Sequence, residues 1–370
     1  MLHRVKLPAC ETHLRWIVEL QRALITALCD AHCHPGDVTI EWALNVVGPL
    51  GVDVAWLRRF CTWSKDKITF LARMQQIAGL DAETKGLILA AFDHDQKLEA
   101  AFADDAEQPH NLMGLSSLPA GSAPVVQAFF EMFYDPALYR GYRVPNASDF
   151  EPFSRQTFVD AFIEENGHDR NNNPVRVCAM CDGDLGNAEV DHYYPKGQYP
   201  FLSCHPQNLV PICSDCNSTA NKGEKPPLSA GEPDENRGWF HPYLRPAAGL
   251  FDVEFQRDGS RLVPVLRSSD DLTQTRLVNH TRLFNLDKRW SDRLAHRVQA
   301  TQRRIRKEKQ RRRRALQRDE LIEKLRSWAE DIEADLGIIP NVLIERAYFS
   351  QGADENPDVF EELMLFNEQG

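Results

Sequence analysis

Apolar residues recur at helical spacing through most of the first hundred positions. The stretches HLRWIVELQRALITALCDAH and VAWLRRFCTWSKDKITFLARMQQIAGL both repeat apolar side chains every three to four residues, which buries one helix face and predicts a helical domain over 1–105. The periodicity lapses in DDAEQPHNLMGLSSLPAGSAP, whose Pro, Gly and Ser predict a linker over 106–125. Helical patterning resumes in PVVQAFFEMFYDP and SRQTFVDAFIEEN, a lead-in over 126–174 that closes in the polar turn GHDRNNNP. A period of two replaces it in LFDVEFQRDGSRLVPVLR, where two extended runs flank Asp258-Gly259 and predict a β-hairpin. That hairpin and the loop before it fill 229–290. From 291 to 370 the helical pattern returns. RVQATQRRIRKEKQRRRRALQR has no Gly or Pro, and it runs on into LIEKLRSWAEDIEADLG, where Leu321, Ile322, Leu325, Trp328, Ile332 and Leu336 keep helical spacing, so a long basic helix is expected.

Composition adds the surroundings. A chain of 370 residues with 42% hydrophobic content suits two or three globular domains. There is no apolar run of membrane-spanning length, and the opening MLHRVKLPACETHLRW lacks a signal peptide's apolar core, so a cytoplasmic protein is expected. Net charge is −11, yet Asp319 to Gly370 alone holds 14 acids and 3 bases, so everything before it sums to zero. Arg297 to Arg318 holds 11 bases and one acid. Its run Arg311, Arg312, Arg313, Arg314 has two readings: a rail that tracks nucleic-acid phosphates, or a solvated helix end paired with the chain's own acids. No Walker motif or Gly-rich phosphate loop is visible, which argues against ATP hydrolysis by this chain.

The densest chemistry lies in 39 residues. The pairs Cys178/Cys181 and Cys213/Cys216 bracket Asp191-His192 and Asn208, and Asn217 follows the last cysteine. Two Cys-x-x-Cys turns at this separation suit a closed tetrahedral Zn²⁺ knot. The five other cysteines, Cys10, Cys29, Cys33, Cys61 and Cys204, have no framework spacing and are expected as reduced thiols. A helix end before Pro35-Gly36 accounts for the CDAHCHPG segment without a second metal.

From Val175 to Lys225 the residues resemble the HNH, or ββα-metal, endonucleases. The resemblance rests on the Asp-His dipeptide with Pro195 three residues on, the Asn-Leu-Val-Pro-Ile-Cys run, and the Cys-Asn-x-x-x-x-Lys ending. It implies an α+β fold: a mainly helical chain carrying a small ββα-metal HNH module, 175–228, with a four-cysteine zinc knot. It also implies His192 as general base, Asp191 and Asn217 as ligands of a catalytic Mg²⁺ or Mn²⁺, and Asn208 as the residue holding the His192 strand in register. Asn221 competes with Asn217 for the third signature position. Lys222 and Lys225 are expected phosphate contacts. The implied reaction is hydrolysis of DNA, double-stranded and with little sequence preference. The surroundings of the module resemble stand-alone HNH effectors of bacterial anti-phage defence, such as the Septu nuclease subunit, which implies an ATPase or sensor partner and allows a homodimer. Two other readings stay open: a nucleic-acid-binding adaptor with structural zinc only, and a ribonuclease toxin.

Overall fold

The periodic stretches at the N-terminus fold as helices in a computed structural model that describes residues 1–103, 108–145, 152–167, 172, 175–259 and 261–369. In order they are α1 (Glu11–Leu28), α2 (Ile40–Val47), α3 (Val54–Thr62), α4 (Phe70–Ala78) and α5 (Ala82–Asp95). Thr39, Asp53, Thr69 and Asp81 each accept a backbone N–H three residues on, so four successive helices open on a short polar cap. The long apolar stretch from Val54 is not one helix. β1 (Ser64–Lys65) and β2 (Ile68–Thr69) interrupt it as a tight hairpin turning through Asp66 and Lys67 at positive φ. Strands of two residues are too short for a period of two to register.

The stretch expected as a linker is anchored along its described part. Buried Asp95 accepts from the Met113 N–H at 2.7 Å and the Gly114 N–H at 2.9 Å, and the Leu115 N–H donates to the Gln198 carbonyl at 2.8 Å. Gly114 sits at φ +51°, where a Cβ would lie 2.8 Å from the Gln198 carbonyl and 2.9 Å from the Tyr199 ring, so only glycine fits. α6 (Ala123–Met132) begins inside the expected linker, and α7 (Arg155–Glu165) opens on a capping box at Ser154. Most of the polar turn GHDRNNNP lies outside the described residues.

β3 (Ala188–His192) pairs antiparallel with β4 (Leu209–Cys213), Ala188 opposite Cys213 and His192 opposite Leu209. The four-residue α8 (Ser214–Asn217) follows at once. This hairpin stands between two buried clusters. Val190 and Leu209 pack with the N-terminal helices, whose centre is the stack of Phe60, Phe70, Phe129 and Phe133. Val210 and Ile212 join the four knot cysteines and the C-terminal half, including Trp290, Tyr348 and Phe349. Leu209 and Val210 reach different cores because successive strand side chains face opposite ways.

β5 (Asp252–Asp258) and β6 (Arg261–Arg267) form the hairpin read at Asp258-Gly259. Then come α9 (Asp271–Phe284), α10 (Leu286–Arg312), α11 (Arg318–Glu333), α12 (Val342–Ala353) and α13 (Pro357–Gln369). The long basic helix does not run on into LIEKLRSW. α10 stops at Arg313, whose φ is +58°, and α11 restarts on a capping box between Gln317 and Glu320. Between them Leu316 is buried, its N–H and C=O taken by the Asn367 amide at 3.1 and 2.8 Å. A side chain from α13 replaces the helical bonds there, and helix propensity cannot register that. Among the described residues no helix is long and apolar enough to cross a membrane.

Candidate metal and catalytic site

Cys178 and Cys181 sit on a tight turn in which the Cys178 carbonyl accepts the N–H groups of Cys181 and Asp182. Cys213 ends β4, and Cys216 lies in α8. All four are buried, with ligand atoms within 4.8 Å of one another. A tetrahedron with Zn–S bonds of about 2.3 Å has edges of about 3.8 Å. The Cys178–Cys216 and Cys181–Cys213 sulfur separations are 3.9 and 3.7 Å, so the donor set fits such an ion. Among the described residues no other group of His, Cys, Asp or Glu gathers in this way.

Four thiolates around a divalent ion carry a net negative charge, and α10 supplies its counterpart. The Arg289 guanidinium lies 3.3 Å from the Cys216 sulfur and 3.2 Å from that of Cys181. Arg293 and Trp290 donate to the Cys181 carbonyl at 2.8 and 3.0 Å, and His280 donates to the Met180 carbonyl at 2.8 Å. None of these partners was read from the sequence. The i, i+4 spacing of Arg289 and Arg293 was the available signal.

Beside the knot, His192 ends β3 with its ring buried against Tyr134, the ring centroids 4.3 Å apart. Its Nε2 lies 3.0 Å from the Ser203 carbonyl. A carbonyl only accepts, so Nε2 carries the proton and Nδ1 keeps a lone pair. Burial pushes the His192 pKa down to about 3, so the ring is neutral near neutral pH. Asp191 places Oδ1 2.9 Å from the Lys222 ammonium, whereas its buried Oδ2 has no partner. Burial raises the Asp191 pKa to about 6 even against the Lys222 charge.

Asn208 ties the chain after β3 to the chain before β4. Its Oδ1 accepts the Tyr194 N–H at 2.7 Å, and its amide donates to the Tyr194 and Leu202 carbonyls at 3.0 Å each. The segment 240–243 braces the same hairpin, for Tyr243 donates to the Leu209 carbonyl and Tyr193 to that of Phe240. Asn217 donates to Glu189 at 2.6 Å, whereas Asn221 is locked in its own turn by Asp215 and Ser218.

A cleft of about 270 Å³ brings Asp191, His192 and Asn217 together with Glu189, Glu224, Arg155 and Lys196. Asn221 does not line it. Glu189 is a further oxygen donor missed in the sequence reading, although its place two residues before Asp191 puts both on one strand face. A larger groove of about 760 Å³ between β5 and α12 contains none of the sequence-derived site residues.

Two expectations need correction. Lys222 is not a free phosphate contact: its buried ammonium already bonds Asp191, the His192 carbonyl at 2.8 Å and the Gly223 carbonyl. Lys225 donates to the Asn221 carbonyl at 2.5 Å. Of the two readings left open for the arginine run, the contacts of Arg311, Arg312 and Arg314 fit pairing with the chain's own acids. Arg312 and Arg314 each reach Glu320 at 2.6 Å, Arg311 lies 3.8 Å from Glu308, and Arg313 closes α10. A lysine's burial and an arginine's partner are tertiary facts that a charge run conceals.

No family model matches the chain, and no solved structure matches it. A stretch of 68 residues, 18% of this chain, is 43% identical to Protein ea31 of Escherichia phage lambda, and the similarity spans 21% of that protein.

Proposed function

We propose that this chain is a metal-dependent endonuclease of the HNH type that hydrolyses phosphodiester bonds of double-stranded DNA, acting in the cytoplasm as an effector of anti-phage defence. The observation that carries the reading is the pairing, on one hairpin and one cleft, of a neutral His192 fixed through Nε2 with an Asp191 oxygen that is buried and unpartnered. Asp191 and the carbonyl oxygen of Asn217, with Glu189 beside them, are hard donors that fit Mg²⁺ or Mn²⁺ better than a second zinc. A bound divalent ion would supply positive charge for the phosphate and the leaving oxygen. His192 takes a proton from water at Nδ1, the water oxygen attacks phosphorus, and the bond from phosphorus to the leaving oxygen breaks. A base with so low a pKa is weak in the free chain, but the incoming phosphodiester places negative charge beside the ring and raises its basicity. Asn208 holds the loop ends at fixed separation, and the zinc knot anchors the far end of the hairpin.

The chain has one such cleft among its described residues, so a monomer nicks one strand and a double-strand break takes a homodimer or a second encounter. An ATPase or sensor protein is the partner implied by the resemblance of the module's surroundings to stand-alone anti-phage effectors. The test offers supercoiled plasmid and total RNA side by side with Mg²⁺ or Mn²⁺. Nicked plasmid is expected. Loss of RNA with intact plasmid would make the chain a ribonuclease, and salt-sensitive binding without cleavage of either would favour the adaptor.

A further inference from the structure

The cleft beside His192 contains two cations for which the proposed chemistry has so far assigned no use. Arg155 opens α7, an element outside the module, and Lys196 follows Pro195 just beyond β3. Each is seated on a tyrosine. The Arg155 guanidinium lies 5.1 Å from the Tyr139 ring centroid and donates to the Tyr139 hydroxyl at 3.0 Å. The Lys196 ammonium lies 5.8 Å from the Tyr134 ring centroid. The two rings meet edge to face at 5.8 Å, and Tyr134 in turn meets His192. Tyr134 also donates to the Val190 carbonyl at 3.3 Å, which fixes this aromatic row to β3. Among the described residues neither cation has a carboxylate within ion-pair distance, in contrast to Arg312 and Arg314.

Cations held by ring faces in a cleft are aimed without being neutralised. An arginine so placed presents a planar fork that matches phosphate oxygens. The same cleft holds Glu189, Asp191 and Glu224, which on their own repel a polyanion. A phosphodiester entering it needs a local positive partner.

We propose that Arg155 and Lys196 form a subsite that grips a backbone phosphate of the nucleic acid next to His192. The helical part of the chain, through α7, thereby completes a site whose base lies in the hairpin. This rests on the nuclease reading for its occupant and goes beyond the residues that reading assigns.

The experiment uses the full chain with zinc content and melting temperature as fold controls. Binding of a labelled DNA duplex by the His192→Ala chain is titrated against salt, with and without added Arg155→Ala or Lys196→Ala. Each lost cation should reduce the slope of log affinity against log salt by about one. Cleavage by otherwise wild-type chains should fall about a hundredfold in kcat/KM for Arg155→Ala. Arg155→Lys should recover only part of it, because the charge returns without the fork. Unchanged slopes and rates in the Arg155→Ala/Lys196→Ala chain would overturn the subsite while leaving the nuclease reading intact. Wild type that binds but does not cut would overturn the nuclease reading, and the binding slopes would still decide the subsite.

Discussion

Asn208 ties the chain after β3 to the chain before β4 through a single buried side chain. Its three side-chain hydrogen bonds satisfy buried backbone groups of Tyr194 and Leu202. Asn208→Ala orphans them, and at about 1 kcal/mol or more per group the loss should approach 3 kcal/mol, read as a lower urea midpoint. An unchanged midpoint would show that the loop closes without it. His205 supports a pH prediction. It is buried with no partner for Nδ1, and burial lowers its pKa to about 4. The unfolded chain therefore binds a proton that the folded chain refuses between pH 6.5 and about 4. This contribution is complete above pH 6.5 and is lost as pH falls toward 4, by about 1.4 kcal/mol for each tenfold difference in proton affinity between the two states. His205→Gln should flatten the fall of melting temperature across that window; parallel curves would contradict it. At this scale the grouping of side chains was legible where rare residue types stand at fixed spacing: the four cysteines do gather, and Asp191 and His192 do line one cleft. It was illegible for Lys222, because its burial belongs to the fold, whereas Glu189 was missed despite its i, i+2 spacing from Asp191.

At the scale of elements, the knot is a junction. Two turns from the hairpin side bring the sulfurs together, and α10 crosses them with Arg289 and Arg293. Metal analysis should give one zinc per chain. Cys178→Ser should lose it together with the surrounding fold, since such a site contributes on the order of 10 kcal/mol of folding free energy. Arg289→Ala should keep the stoichiometry but weaken retention against a chelator by about 10- to 100-fold. Equal retention would mean that the guanidinium only packs there. Helices were legible in the sequence wherever a stripe of apolar residues ran long enough. The breaks were not. The β1–β2 turn is too short to register, and α10 ends at Arg313 because Leu316 finds a pocket and Asn367 takes its backbone groups.

Across the whole molecule, the hairpin of β3 and β4 lies between two cores, and the cleft is lined both by β3 and the chain after β4 and by Tyr134, Tyr139 and Arg155 from the preceding helical part. That arrangement was not legible in sequence, since Val190 and Val210 look alike until their strand faces are known to meet different partners. With one such cleft among the described residues, the proposed reading predicts that nicked circles precede linear plasmid at limiting enzyme. Linear product with no nicked intermediate would require a preformed dimer. The most direct measurement of the account incubates supercoiled plasmid with Mg²⁺ or Mn²⁺ and either the wild-type chain or His192→Ala at equal zinc content. The account predicts nicking by wild type and at least about a hundredfold less by the variant, the usual loss when a general base is removed. Equal nicking by the two chains would contradict it, because the water would then be activated somewhere other than His192.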